Sequence, residues 1–169
     1  MINFQDGTKK SLIMLAQIGA QGILPKPSDL PPLGKYEAIV HRVIDGDTVV
    51  LMMNSGKQLI VRLAYIDAPE IDQPWGIESR DYLNCYHGHY VKVDIVGYDK
   101  YHRAIGVICC ESDNLNELQL EHGLAWIYRR ADFPDNFLLK FGYAVANKLG
   151  MWQDANNIDP YLWRRGTRS

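Results

Sequence analysis

The chain has 169 residues, enough for one domain with a buried core. Its 47% hydrophobic and 22% charged content fits a globular protein, and a formal net charge of −2 argues against a general nucleic-acid coat protein, so any polyanion must be met by a local basic patch. The cysteines Cys85, Cys109 and Cys110 are few and lack metal-type spacing, which leaves neither a zinc site nor a disulfide framework and predicts buried structural thiols.

Residues 1–34 read as a leader followed by a linker. Lys9-Lys10 precede the apolar run Ser11 to Ala16, which continues to Leu24 with Gln17 and Gln21 inside it. Basic residues before a short apolar core suit a secretory signal, but an extra amphipathic helix or a loose leader fits equally, so secretion and a cytoplasmic location both stay open. The run is too short to span a membrane as a helix. Pro25 to Pro32 carries four prolines in eight residues and is expected to be extended.

The domain is expected over residues 35–152, with a basic tail over 153–169. The first strand is predicted at Tyr36 to Ile44, the second at Thr48 to Met53 and the third at Lys57 to Ile66, with Asn54-Ser55-Gly56 closing a hairpin. Along the third strand Leu59, Val61, Leu63 and Tyr65 share one face, while Ile60, Arg62, Ala64 and Ile66 share the other. A helix is predicted from Gly76 to His87, with Ile77, the Arg80 stem, Leu83 and Tyr86 at helical spacing. Strands at Tyr90 to Val96 and Arg103 to Cys109 follow. A second helix begins at Asn114, capped with Glu117, and stops at Gly123, with Leu115 and Leu118 facing the core. A third follows Asp132 and ends at Gly150, with Phe137, Leu138, Phe141, Val145 and Leu149 as its apolar stripe. In the tail, Arg164, Arg165 and Arg168 beside Trp163 either contact phosphates or form a solvated end.

The chemistry concentrates between Val43 and Glu70. Asp45 and Asp47 precede the second strand, and Asp67 and Glu70 follow the third. Antiparallel pairing gathers these carboxylates at one end of the ribbon, with Arg62 beside them. Two like charges 4 Å apart repel by about 4 kcal/mol at an effective dielectric near 20. A stable fold therefore needs a cation among them or free access of water. An all-oxygen carboxylate set suits a hard divalent ion such as Ca²⁺ or Mg²⁺. The spacing is not that of an EF-hand, because the fifth position counted from Asp45 is Val49.

Three blocks in order, I-D-G-D-T-V at Ile44 to Val49, V-R-L-A-Y-I-D-A-P-E at Val61 to Glu70 and D-K-Y-H-R at Asp99 to Arg103, resemble the staphylococcal nuclease family. G-L-A at Gly123 to Ala125 and G-M-W at Gly150 to Trp152 extend the match over about Tyr36 to Trp152. The resemblance implies an α+β, mainly β, fold: a five-stranded OB-type barrel with three α-helices. It implies a Ca²⁺-dependent phosphodiesterase that cuts DNA and RNA at the 5′-oxygen bond, leaving 3′-phosphate ends. Carried onto this sequence, it makes Arg62, Glu70 and Arg103 catalytic. Asp47, Asp67 and the Ala68 carbonyl become metal ligands, with Asp45 acting through water. Lys100, Tyr101 and Tyr128 are expected to contact substrate. Ala68 stands where the staphylococcal enzyme has threonine, which a main-chain ligand tolerates. His102 replaces a glycine, a change that stiffens the loop or crowds the substrate.

Charge counting supports the assignment. The carboxylates Asp45, Asp47, Asp67 and Glu70 balance one divalent ion plus Arg62 and Arg103, whereas without the ion the site repels a phosphodiester. Two other readings compete: a catalytically silent OB-type nucleic-acid-binding module, and an interaction domain with a solvated acidic loop. The first predicts loss of Arg62, Glu70 or Arg103, and all are present. The second leaves their joint presence unexplained. The chain is expected to act as a monomer on DNA, RNA or both.

Overall fold

The computed structural model describes residues 27–168; the leader and the first two residues of the proline-rich segment, up to residue 26, lie outside the described residues. Strand β1 (Gly34–Asp45) is the longest strand among the described residues, and its two ends serve different neighbours. Ala38–Asp45 pairs with β2 (Thr48–Met53), and Gly34–Ile39 pairs with β5 (Tyr90–Tyr98). Irregularities at Val40/Arg42 and Val43/Asp45 bend β1, as bulges do, so that one strand can turn the corner of a barrel. β2 pairs with β3 (Gln58–Leu63), and β5 pairs with β6 (Ala104–Cys110). The ring closes where β3 meets β6 in parallel through Val61 to Leu63. This is the five-stranded mixed OB-type barrel, and a short β7 (Asp113–Asn114) extends its rim.

Alternation builds the interior. Leu59, Val61 and Leu63 of β3 are buried, as are Val91, Val93 and Ile95 of β5. Removing such side chains from water contributes roughly 1.5–3 kcal/mol each. Helices α1 (Gly76–Asn84), α2 (Leu115–Glu121) and α3 (Asp135–Ala146) add Leu83, Leu115, Leu120 and Phe137 to the same core. A fourth, five-residue helix α4 (Pro160–Arg164) lies in the basic tail, with Pro160 and Trp163 buried.

Several expectations need correction. The third strand does not run to Ile66. The chain turns at Tyr65, whose φ is +69°, and resumes as β4 (Ile66–Asp67), paired with β8 (Trp126–Ile127). That turn swings Asp67 out of the barrel wall. In α1, Ile77 is exposed, while Ser79 is fully buried because its hydroxyl donates to the Leu124 carbonyl. In α3, Leu138 and Val145 are exposed, and the buried stripe is Phe137 and Ala144. The proline-rich segment contains a 3-10 turn over Pro27–Asp29 where extended chain was expected. The thiols are free, but Cys85 is exposed; burial pushes Cys109 and Cys110 above the usual thiol range. The Asn114 cap is present: its side-chain oxygen accepts from Asn116 N and Glu117 N.

Candidate active site

The D-G-D turn is held by packing as well as by its own hydrogen bonds. The Asp47 N–H donates to Asp45 Oδ1 at 3.0 Å. Gly46 lies so close to α1 that an added Cβ would overlap Ser79 Oγ and stand 2.8 Å from Ala68 Cβ. From the far side, the buried Gln119 side chain donates to the Gly46 carbonyl and to Ser79 O. One turn of chain is thus clamped between α1, α2 and the loop that carries Ala68.

Register then places the charges. Arg62 lies opposite Thr48, one residue beyond Asp47. Its Nη2 donates to Asp67 Oδ1 at 2.9 Å and lies 3.3 Å from Asp47 Oδ2. Asp47 is 7% exposed; its Oδ1 accepts from the Thr48 hydroxyl and its Oδ2 from the Ala68 N–H. Glu70 is held by its backbone N–H, which donates to Gln73 Oε1. Gly76 lets α1 begin against the Glu70 carbonyl, which a Cβ there would overlap. Asp45, Asp47, Asp67, Ala68, Glu70 and Arg62 are therefore brought together.

Tyr128 joins them through the β4–β8 pair: its N–H donates to Tyr65 O, and the Arg62 guanidinium stands 5.1 Å from its ring centre. Arg103 is differently engaged. Its Nε donates to Asp99 Oδ2 at 2.7 Å, and the same carboxylate accepts from the Tyr101 and Arg103 backbone N–H groups. Lys100 and Arg103 both lie over the Tyr101 ring. His102 occupies left-handed backbone, φ +61°, which explains why a glycine suits this position and shows that histidine is accommodated there.

Arg164 was visible in the sequence only as one of three tail arginines. It reaches into the cluster from α4: Nη2 donates to Asp67 Oδ2 at 2.7 Å, and Nη1 donates to Glu70 Oε1 at 2.8 Å and to Asp67 Oδ1 at 3.2 Å. The helix is anchored by Trp163 Nε1 donating to Asp72 and by Gln73 Nε2 donating to the Ile158 carbonyl. The other residues missed by sequence reasoning are Ser79, Gln119, Gln73 and Asn116. Only a polar residue within a predicted apolar helix face could have hinted at the first two.

Electrostatics separate the carboxyl groups. Burial, with the Asp47 and Glu70 charges nearby, pushes Asp45 well above the usual carboxylate range. Burial works the same way on Asp47, but Arg62, the Ala68 N–H and Arg103 outweigh it and hold Asp47 below that range. Asp67 and Glu70 are raised, chiefly by burial, against the opposing pull of Arg164. Burial opposes the Arg164 charge, and Asp67 and Glu70 more than offset this. The donor set is all oxygen and holds no His or Cys, which suits a hard divalent ion. In the present arrangement, with guanidinium groups between the carboxylates, no three acidic, His or Cys side chains among the described residues stand in ready-made ligating geometry.

The staphylococcal nuclease homologue family matches residues 60–154. An uncharacterized endonuclease of Haemophilus influenzae is 34% identical over 127 residues, covering 75% of this chain and 71% of that protein. A micrococcal nuclease of Shigella flexneri is 30% identical over 174 residues, covering 95% and 98%. A staphylococcal-like nuclease of Arabidopsis thaliana is 33% identical over 113 residues, covering 66% of this chain and 35% of that protein. Among the described residues no helix is long and apolar enough to cross a membrane. With barrel, charge cluster and matched span in agreement, the chain belongs to the staphylococcal nuclease family.

Proposed function

We propose that the protein is a Ca²⁺-dependent nuclease that hydrolyses DNA, RNA or both at the bond between phosphorus and the 5′-oxygen, leaving a 3′-phosphate. The observation that carries this reading is Arg62 bridging Asp47 and Asp67 at 3.3 and 2.9 Å, with Glu70 on the same side of the barrel. A guanidinium placed there offers two parallel N–H groups to a phosphate, a geometry that lysine cannot reproduce.

Asp47, Asp67 and the Ala68 carbonyl would hold the ion, with Asp45 joining through water. When bound, the ion supplies Lewis-acid polarisation of a phosphate oxygen and compensates the carboxylates. Glu70 orients the attacking water and takes its proton; its raised pKa brings its basicity closer to what that task needs. The water oxygen forms a bond to phosphorus, the 5′-oxygen leaves with the bonding pair, and a proton returns to it. The five-coordinate transition state carries one more negative charge than the diester. Arg62 and Arg103 meet that charge where it develops. For Arg103 this requires exchanging Asp99 for a phosphate oxygen. Lys100 and Tyr101, beside Arg103, and Tyr128, beside Arg62, flank the place where the nucleotide would lie.

The test is digestion of end-labelled single-stranded DNA and RNA by the full chain in Ca²⁺ and in EGTA, with Glu70→Gln alongside. Cleavage that needs Ca²⁺, leaves 3′-phosphate ends and falls by orders of magnitude in Glu70→Gln is the expected result. Undiminished cleavage in EGTA would remove the metal from the reaction. No cleavage of either substrate would leave the silent binding module as the better reading.

A further inference from the structure

Each oxygen of Asp67 is already engaged. Oδ1 accepts N–H groups from Arg62 and Arg164, and Oδ2 accepts a second N–H from Arg164. Oδ1 has two lone pairs, and both face guanidinium hydrogens. Glu70 Oε1 shares the same Arg164 fork. A divalent ion bound to Asp67 would sit where this guanidinium now sits, or in contact with it. Two cations cannot share that position, because each loses the carboxylate the other holds and they repel at contact distance.

The contact is built into the fold. Asp159 caps α4 by accepting from Tyr161 N, and the buried Trp163 pins the helix to Asp72. Gln73 reaches back to Ile158. Both Asp72 and Gln73 belong to the loop that carries Asp67 and Glu70, so helix and carboxylates are located by the same few residues. The other tail arginines point elsewhere: Arg165 donates to the Tyr161 hydroxyl, and Arg168 lies 3.9 Å from the Trp163 ring centre. The Arg164 side chain is 29% exposed, so it can swing toward solvent while Trp163 stays in place.

We infer that Arg164 is an affinity-setting residue of the metal site: its guanidinium stands in for the divalent ion on Asp67 and Glu70, and the ion binds only by displacing it. This rests on the Ca²⁺ reading proposed above and adds that the resting site is neutralised by the protein's own tail. Ca²⁺ binding is therefore weaker than the carboxylate set alone would give, and the metal-free fold is steadier.

The experiment is calorimetric titration of Ca²⁺ into the full chain at fixed pH and low salt, comparing wild type, Arg164→Gln, Arg164→Lys and Arg165→Gln. Circular dichroism checks the fold of each. Arg164→Gln is expected to bind Ca²⁺ at least about tenfold more tightly. Arg164→Lys, which keeps the charge and loses the fork, falls between it and wild type. Arg165→Gln stays within about twofold of wild type. The Ca²⁺-induced rise in melting temperature should likewise be larger in Arg164→Gln than in wild type. Equal or weaker binding by a folded Arg164→Gln overturns this inference while leaving the Ca²⁺ reading intact. Absence of Ca²⁺ binding in wild type and Arg164→Gln alike overturns both.

Discussion

Replacing Gly46 by alanine tests whether packing behind the D-G-D turn sets the site. The new Cβ would overlap Ser79 Oγ and stand 2.7 Å from Ser79 Cβ and 2.8 Å from Ala68 Cβ. None of these is the free end of a flexible chain. Ser79 lies in α1 and is fully buried, and its hydroxyl donates to the Leu124 carbonyl at 2.7 Å. Overpacking of this kind costs about 1–3 kcal/mol. If Ser79 rotates away, the Leu124 carbonyl loses a buried partner, which adds roughly 1–3 kcal/mol. We expect a total of about 2–6 kcal/mol in urea unfolding, the upper end applying if Ser79 rotates away. At about 2–4 °C per kcal/mol for a chain of this size, the melting temperature falls by roughly 4–24 °C. Ser79→Gly removes two of the three clashing atoms, leaving Ala68 Cβ, at its own cost of about 1 kcal/mol for a helical glycine plus roughly 1–3 kcal/mol for the Leu124 carbonyl left without its partner. The double variant should therefore be more stable than the sum of the singles by about 1–3 kcal/mol. A Gly46→Ala protein within about 0.5 kcal/mol of wild type, or strict additivity with Ser79→Gly, would refute the reasoning.

Asp45→Asn should stabilise the metal-free protein at neutral pH. Burial and the neighbouring Asp47 charge hold the folded-state Asp45 carboxyl well above the usual carboxylate range, so stability falls as pH rises from that range through the raised value. The gain should appear in urea unfolding at pH 7 and vanish below about pH 4. Arg62→Lys should keep the fold by circular dichroism yet lower kcat/KM by about a hundredfold or more, since the fork is lost while the charge remains. A wild-type value would remove Arg62 from transition-state binding. Asn116→Ala strips partners from the Ile108 N–H and the Ala64 carbonyl, and should cost about 2–4 kcal/mol in unfolding free energy. A change below about 0.5 kcal/mol would show that water replaces them.

The strands were legible because barrel walls alternate in β3 and β5, while β2 and β6 read as short, nearly continuous apolar runs bounded by polar turns. The turn at Tyr65 was not, because Ala64 to Ile66 continue the apolar pattern; only the left-handed backbone distinguishes the break. The Ile77 and Leu138 errors share one cause. Apolar spacing alone places these residues in the core, yet each helix lies on the barrel slightly rotated, so Leu83 and Phe137 stay inward with Ser79 and Ala144 while Ile77 and Leu138 face out. The proximity of the carboxylates and Arg62 followed from the hairpin alone. Arg164 could not be found that way, because ninety-seven positions separate it from Asp67 and nothing local in either segment encodes their meeting.

The parallel seam between β3 and β6 joins Val61 to Ala104 and Arg62 to Ile105, partners far apart along the chain. The β1–β2–β3 and β5–β6 pairings are nearly local and can form early, whereas this closure must pay a long loop entropy first. Asn116 spans the finished seam, donating to both the Ala64 and Gly106 carbonyls, so its bonds exist only once the ring is shut. Arg62 already faces Thr48 within the β2–β3 hairpin, but Arg103 directly precedes Ala104, which meets Val61 in the seam, so the second guanidinium arrives only in this late event. A half-folded chain thus has its acidic turn and Arg62 without Arg103, and the rate at which activity appears on refolding measures ring closure.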